Sequence, residues 1–96
     1  MSHYLVEYAE LGNAEAREAL RPDHIGYRKG LGGGMALAGP LLDDAGSPVG
    51  SVVILEAEDR AEAERIASAD PYVAAEVLEL VSVRAYRIVA MNPPQG

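Results

Sequence analysis

The sequence contains no cysteine, no tryptophan and no phenylalanine among its 96 residues. Without cysteine, disulfides, thiolate nucleophiles and cysteine-ligated zinc or iron–sulfur sites are excluded. Without tryptophan and phenylalanine, the core has to be built from valine, isoleucine, leucine, alanine and the five tyrosines. Chemistry in this chain therefore depends on histidine, the carboxylates, arginine and tyrosine.

Basic residues are scarce: eight Lys and Arg stand against fifteen Asp and Glu, for a net charge of −7. That balance argues against binding to nucleic-acid phosphates or to an anionic membrane surface. No apolar run approaches the roughly 20 residues of a membrane span, and residues 1–4 lack the basic and apolar regions of a signal peptide. We expect a cytoplasmic protein with no nucleic-acid and no membrane partner.

Patterns that bind metals or cofactors are also missing. The two histidines, His3 and His24, belong to no Glu-x-x-His or His-x-His motif. The glycines between Gly30 and Gly34 are not a phosphate loop, because no Gly-Lys-Ser or Gly-Lys-Thr follows them. The sequence predicts neither a metal site nor a cofactor.

The length and the hydrophobic patterning predict one domain spanning residues 1–96. Alternating apolar residues predict strands over residues 3–10, 51–57 and 82–90. A short apolar run predicts a buried strand over 35–38, and the alternative is that Leu41 and Leu42 extend it beyond Pro40. Helices are predicted after Asn13, where Pro22 either kinks the helix or starts a second segment, after Asp59, and over 72–80. Residues 91–96 are predicted to be a flexible tail.

This element order, β-α-β-β-α-(α)-β, predicts an α+β protein with the ferredoxin-like plan, in which helices cover one face of a four-stranded antiparallel sheet. Apolar side chains occur on both faces of several predicted strands. We therefore expect a second copy to cover the helix-free face, forming a homodimer described as a dimeric α+β barrel.

The segment Arg21-Pro22-Asp23-His24 carries the main candidate for chemistry. Histidine exchanges protons near neutral pH, so His24 is a candidate general base or acid. The alternative is a structural histidine bonded to a carbonyl. With no cysteine present and no serine in an evident motif, proton transfer is favoured over covalent catalysis.

Asp70 is the candidate partner of His24. An aspartate beside a histidine fixes its tautomer and stabilises its protonated form. Asp70 precedes Pro71 and is also a good helix N-cap with no chemical role. The two roles are compatible, because one carboxylate oxygen can cap the helix while the other faces His24.

Two further residues are candidates for substrate binding. The donor fork of Arg21 suits a carboxylate or a phenolate, although a surface ion pair with Glu18 is the alternative. Tyr72 is a candidate wall for an aromatic ligand, and its alternative is a place in the core or at an interface.

Four short motifs, taken together in order, resemble the YCII-related (YciI-like) family of small bacterial proteins. The resemblance extends from Tyr4 to about Val89. The motifs are Arg21-Pro22-x-His24, Ala38-Gly39-Pro40, Ala67-Ser68-Ala69-Asp70-Pro71-Tyr72 and Val81-Ser82-Val83-Arg84-Ala85-Tyr86.

The resemblance implies a ferredoxin-like dimer of the muconolactone-isomerase type, with the active site in a pocket near the dimer interface. Carried onto this chain, it implies that His24 and Asp70 are catalytic and that Arg21, Gly39 and Pro40 lie nearby. One branch of the family resembles dehydrochlorinases that act on chlorinated hydroxyhydroquinones.

These observations predict a small-molecule enzyme in which His24 and Asp70 transfer a proton, in an elimination or isomerisation of a small cyclic or phenolic compound. The alternative is a non-catalytic dimer that binds a small ligand in the same pocket or serves as an accessory protein.

Overall fold

The structure, a computed structural model, describes residues 1–92. The elements are β1 (Ser2–Glu10), α1 (Ala14–Gly30), a 3₁₀ turn (Gly32–Gly34), β2 (Met35–Leu42), β3 (Pro48–Ala57), α2 (Arg60–Ser68), α3 (Pro71–Ala74) and β4 (Leu78–Tyr86). Of the predicted tail, residues 91 and 92 have no regular structure, and residues 93–96 lie outside the described residues.

The four strands form one sheet in the order β2-β3-β1-β4. Each neighbouring pair is antiparallel. Two strand–helix–strand crossovers placed around a β2–β3 hairpin give the ferredoxin-like arrangement. The predicted α+β fold class is confirmed.

The core lies between the sheet and the helices. Tyr4, Val6 and Tyr8 alternate along β1 and are buried on the same side as Ala63 and Ala67 of α2. The two small side chains of α2 leave room for the helix to pack against the tyrosine rings. Burial of each large apolar side chain contributes roughly 1.5–3 kcal/mol to folding.

The last helix is shorter, and the last strand begins earlier, than the sequence predicted. The helix ends at Ala74, since Glu76 adopts a left-handed backbone with φ of 58° and the Val77 amide donates to the Tyr72 carbonyl. The strand occupies Leu78–Tyr86 instead of residues 82–90. The apolar residues at 73, 77 and 80 are spaced as on one face of a helix. That spacing predicts a helix that is too long, because residue 80 belongs to β4.

An irregularity in the pairing of β4 with β1 explains why the alternation of apolar residues did not predict the bounds of this strand. Tyr8 pairs with Leu80, whereas Glu7 pairs with Ser82, so the pairing shifts at Val81. The extra residue changes the parity of the strand. Leu80 and Val83 consequently lie opposite Tyr8 and Val6, both of which face the core.

Helix α1 is continuous through Pro22, so the proline does not start a second helix, which was one of the two alternatives that the sequence left open. It buries no residue completely and contributes only partly buried side chains, such as Ala16 and Leu20, to the core. The cavity described next is lined by this helix together with residues of the sheet.

Strand β2 has the longer of its two predicted forms, because it continues through Gly39 and Pro40 to Leu42. β2 is an edge strand, and proline is tolerated at an edge because no neighbour requires its missing N–H. The predicted connection after it is a tight turn, in which Asp43 Oδ1 accepts bonds from the amides of Ala45 and Ser47.

Candidate functional site

A cavity of about 300 Å³ lies between α1 and the β2–β3 hairpin. Helix α1 supplies polar side chains to it: Arg17, His24 and Arg28. The hairpin supplies small or apolar groups: Ala38, Gly39, Pro40, Pro48 and Ser51. The cavity thus combines a polar wall from α1 with a floor of small or apolar groups from the hairpin, as ligand sites commonly do.

His24 and Asp70 are in direct contact at this cavity. His24 Nδ1 lies 2.8 Å from Asp70 Oδ1. The aspartate side chain is 1% exposed and that of the histidine 20% exposed. The fold therefore brings together two residues that are 46 positions apart in the chain.

The Asp70 carboxylate accepts three hydrogen bonds. Oδ1 accepts from His24 and also from the Tyr72 amide at 3.0 Å, which is the helix cap. Oδ2 accepts from Arg28 Nε at 2.7 Å. The expectation that one oxygen caps while the other faces His24 is wrong in detail, because one oxygen performs both roles and the second binds Arg28.

The contact with Asp70 fixes the tautomer of neutral His24. An acceptor carboxylate at Nδ1 requires the ring proton to be on Nδ1, which leaves the lone pair on Nε2. Nε2 has no hydrogen-bond partner within residues 1–92, and no unpaired side-chain nitrogen in that range is fully buried. His24 lines the cavity, and its unpaired Nε2 is not fully buried.

Tyr72 holds the imidazole in place. The two rings stack with centroids 3.9 Å apart and planes 6° apart. The Tyr72 hydroxyl donates to the Arg17 carbonyl at 3.0 Å, which ties α3 to α1. The Arg17 guanidinium lies over the same tyrosine ring and pairs with Glu10. The histidine is thus fixed at one edge by Asp70 and on one face by Tyr72.

Arg28 lies between Asp70 and a buried tyrosine. Its guanidinium carbon is 5.3 Å from the centre of the Tyr8 ring. Burial raises the pKa of Tyr8 to about 12, although the positive charge of Arg28 acts in the opposite direction. The Tyr8 hydroxyl donates to the Ala67 carbonyl at 2.9 Å, so this phenol is a neutral structural group at physiological pH.

Tyr27 anchors α1 to α2 behind the site. Its hydroxyl donates to the Ile66 carbonyl at 2.6 Å. Burial raises the pKa of Tyr27, and the negative charge of Asp70 adds to that effect. Tyr27 therefore positions α1 but does not line the cavity.

The structure gathers most of the site residues that the sequence predicted. His24, Gly39, Pro40 and Tyr72 line the cavity, and Asp70 lies directly behind His24. Arg21 is exposed and is not among the lining residues. Its role in substrate binding stays a prediction.

Three charged residues of the cavity were not identified from the sequence: Glu10, Arg17 and Arg28. The arginines had a detectable signal, because they lie seven residues before and four residues after His24. Such spacings place side chains on one face of a helix. Glu10 had none, since it enters the site from the end of β1.

A second depression, of about 540 Å³, lies at the opposite end of β1 and includes His3, Tyr86 and Arg87. His3 Nε2 is 3.8 Å from Glu56 Oε2, and both side chains are substantially exposed. This depression is larger, but its histidine lacks a short contact with a buried carboxylate. The smaller cavity is the better candidate site.

Two negative findings apply to residues 1–92. No three His, Asp or Glu side chains in that range come together as a metal site would require. No helix in the same range is long and apolar enough to cross a membrane. The donor groups at the cavity are suited to proton transfer and to binding of polar ligand groups.

Comparison with known proteins gives one family match and an informative structural likeness. A family model described as the YCII-related domain matches residues 1–87. No curated protein sequence matches the chain.

The structural likeness is to 5-chloro-2-hydroxyhydroquinone dehydrochlorinase from Burkholderia phenoliruptrix, solved in complex with 2,5-dihydroxybenzoquinone. The two chains align with a TM-score of 0.65 and 23% sequence identity, over 92% of this chain and 93% of the other. At that identity the likeness establishes a shared fold.

Proposed function

The chain belongs to the YCII-related domain family, and we propose that it is a small-molecule enzyme whose His24–Asp70 pair transfers a proton. The substrate we propose is a small cyclic or phenolic compound, and the reaction is an elimination or an isomerisation. The similar fold of a dehydrochlorinase that acts on a chlorinated hydroxyhydroquinone supports this substrate class.

The observation that carries the proposal is the contact of 2.8 Å between His24 Nδ1 and Asp70 Oδ1, in a histidine that lines the cavity and whose Nε2 has no partner within residues 1–92. A general base needs a free lone pair at the substrate and a partner that stabilises the imidazolium formed. Asp70 supplies that partner from a buried position. Tyr72 prevents the ring from rotating away.

In the proposed reaction, His24 Nε2 takes a proton from a hydroxyl group or a ring carbon of the substrate. In an elimination, the electron pair released by that proton expels a leaving group, which departs with its own bonding pair. In an isomerisation, the imidazolium returns the proton to a different carbon. Neither route needs a nucleophile that forms a covalent intermediate.

The test is turnover of halogenated and unhalogenated hydroxyhydroquinones and of small lactones by the native protein and by His24→Gln. A general base contributes about 10²- to 10⁴-fold to the rate, so the variant should lose at least about 100-fold in kcat. His3→Gln is the matched control, because it removes the other histidine, and it should retain native activity.

The alternative outcome is equally informative. Phenolic compounds that bind in the cavity, with no conversion that depends on His24, would show a non-catalytic ligand-binding or accessory protein. A rate that survives in His24→Gln would likewise contradict the proposal.

We further propose that the protein is a homodimer, formed through the helix-free face of the sheet. Leu37 pairs with Ile54, and Ile54 with Leu5, so these three side chains form an apolar row on that face. Leu37 is 49% exposed in the single chain. Burying such a row between two copies removes apolar surface from water.

Strand β2 would connect this interface to the cavity. Ala38 and Pro40 line the cavity. The side chain of Leu37, on the same strand, lies on the opposite face of the sheet. A second copy packed on Leu37 would therefore be separated from a ligand in the cavity only by strand β2. A cytoplasmic location also remains a prediction.

A further inference from the structure

We propose that Arg28 binds a negatively charged ligand group with two neighbouring oxygens, of which a carboxylate on a ring is the simplest. The binding atoms are the two Nη groups of its guanidinium. The inference rests on the proposal that this cavity receives the substrate, and it assigns the substrate a charge and a specificity residue.

The first step is that Arg28 is already held in one orientation. Its Nε donates to Asp70 Oδ2 at 2.7 Å, its side chain is 13% exposed, and its guanidinium lies over the Tyr8 ring. A side chain fixed in this way loses little further conformational entropy when a ligand binds.

The second step is that the end of the guanidinium remains available. Within residues 1–92 the only hydrogen bond from the Arg28 side chain comes from Nε. No side-chain nitrogen in that range is both buried and unpaired. The two Nη groups are therefore unpaired within that range without being fully buried, and Arg28 lines the cavity. Two parallel N–H groups match two oxygens of one anionic group.

The charged groups at the cavity are two arginines and two carboxylates. The charged residues that line the cavity are Arg17, Arg28 and Glu10, so the lining carries one positive charge more than negative. Asp70 lies behind them with both oxygens occupied by donors. Together with Asp70 the four charged groups balance, so the attraction for an anionic ligand group comes from the donor geometry of the two Nη groups of Arg28 and not from a net positive charge.

The fourth step relates the anion site to His24. His24 and Arg28 are four residues apart on α1 and both contact Asp70. A ring that binds Arg28 through an anionic group thereby presents a neighbouring hydroxyl or ring proton to the same wall. Arg28 would set which ring position reaches the base.

The experiment compares benzoate with benzamide, which have nearly the same shape and differ in charge. Binding is followed through the ring resonances of His24 in NMR titrations, assigned with the His24→Gln variant. The native protein should bind benzoate at least about tenfold more tightly, as expected for charge-assisted hydrogen bonds in a partly enclosed site.

Arg28→Lys is the decisive variant, because it keeps a cation beside Asp70 and thus preserves the fold. A lysine ammonium that pairs with Asp70 leaves no donor fork for a ligand. The ratio of the two dissociation constants should fall close to one. Arg60→Lys makes the same substitution at an exposed position of α2, where the arginine pairs with Glu64, and should leave the ratio unchanged.

Equal affinities in the native protein, a preference for benzoate that survives in Arg28→Lys, or an equal loss in Arg60→Lys would each overturn the inference. So would the absence of any His24 shift with either compound at tens of millimolar. None of these outcomes removes turnover that depends on His24. Conversely, selective benzoate binding without turnover would overturn the enzyme proposal alone.

Discussion

At the scale of single residues, Asp70 joins three parts of the candidate site. It is 1% exposed and accepts bonds from an imidazole, a guanidinium and a backbone amide. Removing one member of a buried ionic contact leaves the others unpaired, and this is more costly than the contact itself is favourable. The contacts of Asp70 therefore stabilise the fold in addition to orienting His24.

We predict that Asp70→Asn lowers the free energy of unfolding by about 3 kcal/mol. The amide oxygen can still cap α3, but the amide NH₂ faces a donor, either His24 Nδ1 or Arg28 Nε. Urea denaturation measures the change.

Asp59→Asn is the matched control for this substitution. Asp59 Oδ1 accepts from the Glu62 amide at the start of α2, at an exposed position. Asparagine and aspartate are nearly equivalent as N-caps, so the loss should stay below roughly 0.5 kcal/mol. Similar losses at both positions would mean that capping, not the contacts with His24 and Arg28, accounts for the effect of Asp70.

Tyr8 gives a prediction for alkaline pH. Its pKa is raised by burial to about 12 in the folded protein, against about 10 in an unfolded chain. The folded state therefore holds this proton more tightly. The stabilisation is fully present below pH 10 and is lost as the pH rises towards 12, by roughly 2 to 3 kcal/mol.

The Tyr8→Phe variant should lose about 1 kcal/mol at neutral pH, because the bond to the Ala67 carbonyl disappears. Between pH 10 and 12, however, its free energy of unfolding should fall less steeply than that of the native protein. Tyr86→Phe, which removes a phenol that is 44% exposed, is the control. Parallel curves for native protein and Tyr8→Phe would contradict the prediction.

At the scale of elements, the hairpin that forms the cavity floor depends on one glycine of β3. A Cβ atom at Gly50 would lie 2.5 Å from the Tyr8 carbonyl oxygen and 3.3 Å from Leu41 Cδ1. The nearer contact is with backbone, so one of the two strands has to move.

We predict that Gly50→Ala destabilises the protein by about 1–3 kcal/mol, as overpacking does. Gly39→Ala is the control on the neighbouring strand, since nothing lies within 4 Å of a Cβ atom there. Thermal unfolding of the two variants separates them. A neutral Gly50→Ala would show that β1 and β3 can separate locally without cost.

At the scale of the whole molecule, the proposed dimer predicts a selective effect of charge on the helix-free face. Leu37→Lys should convert a dimer into a monomer at micromolar concentration, because it buries an unpaired ammonium at the interface. Ile25→Lys changes an apolar residue that is 37% exposed on α1, on the helix-covered side, and should remain dimeric. Sedimentation equilibrium measures both.

A native protein that sediments as a monomer would contradict the dimer outright. A dimer that tolerates Leu37→Lys would place the interface elsewhere. Both substitutions change residues that are exposed in the single chain, so neither should unfold the protein.

The sequence by itself determined the fold and most of the residues at the candidate site. Period-two alternation in β1 and β3, capping residues and turn chemistry are local signals, and they predicted the element order and hence the ferredoxin-like topology. The motifs around His24 and Asp70 identified two residues that the tertiary structure places in contact.

Only the tertiary structure decided where β4 begins and which arginine of α1 contacts Asp70. The irregularity at Val81 depends on pairing with β1, which no local pattern encodes. Arg21 and Arg28 lie on the same helix, but contact with Asp70 requires α3 to dock beside α1. Long-range contacts set these features, because they depend on where distant segments meet and not on the preferences of any one segment.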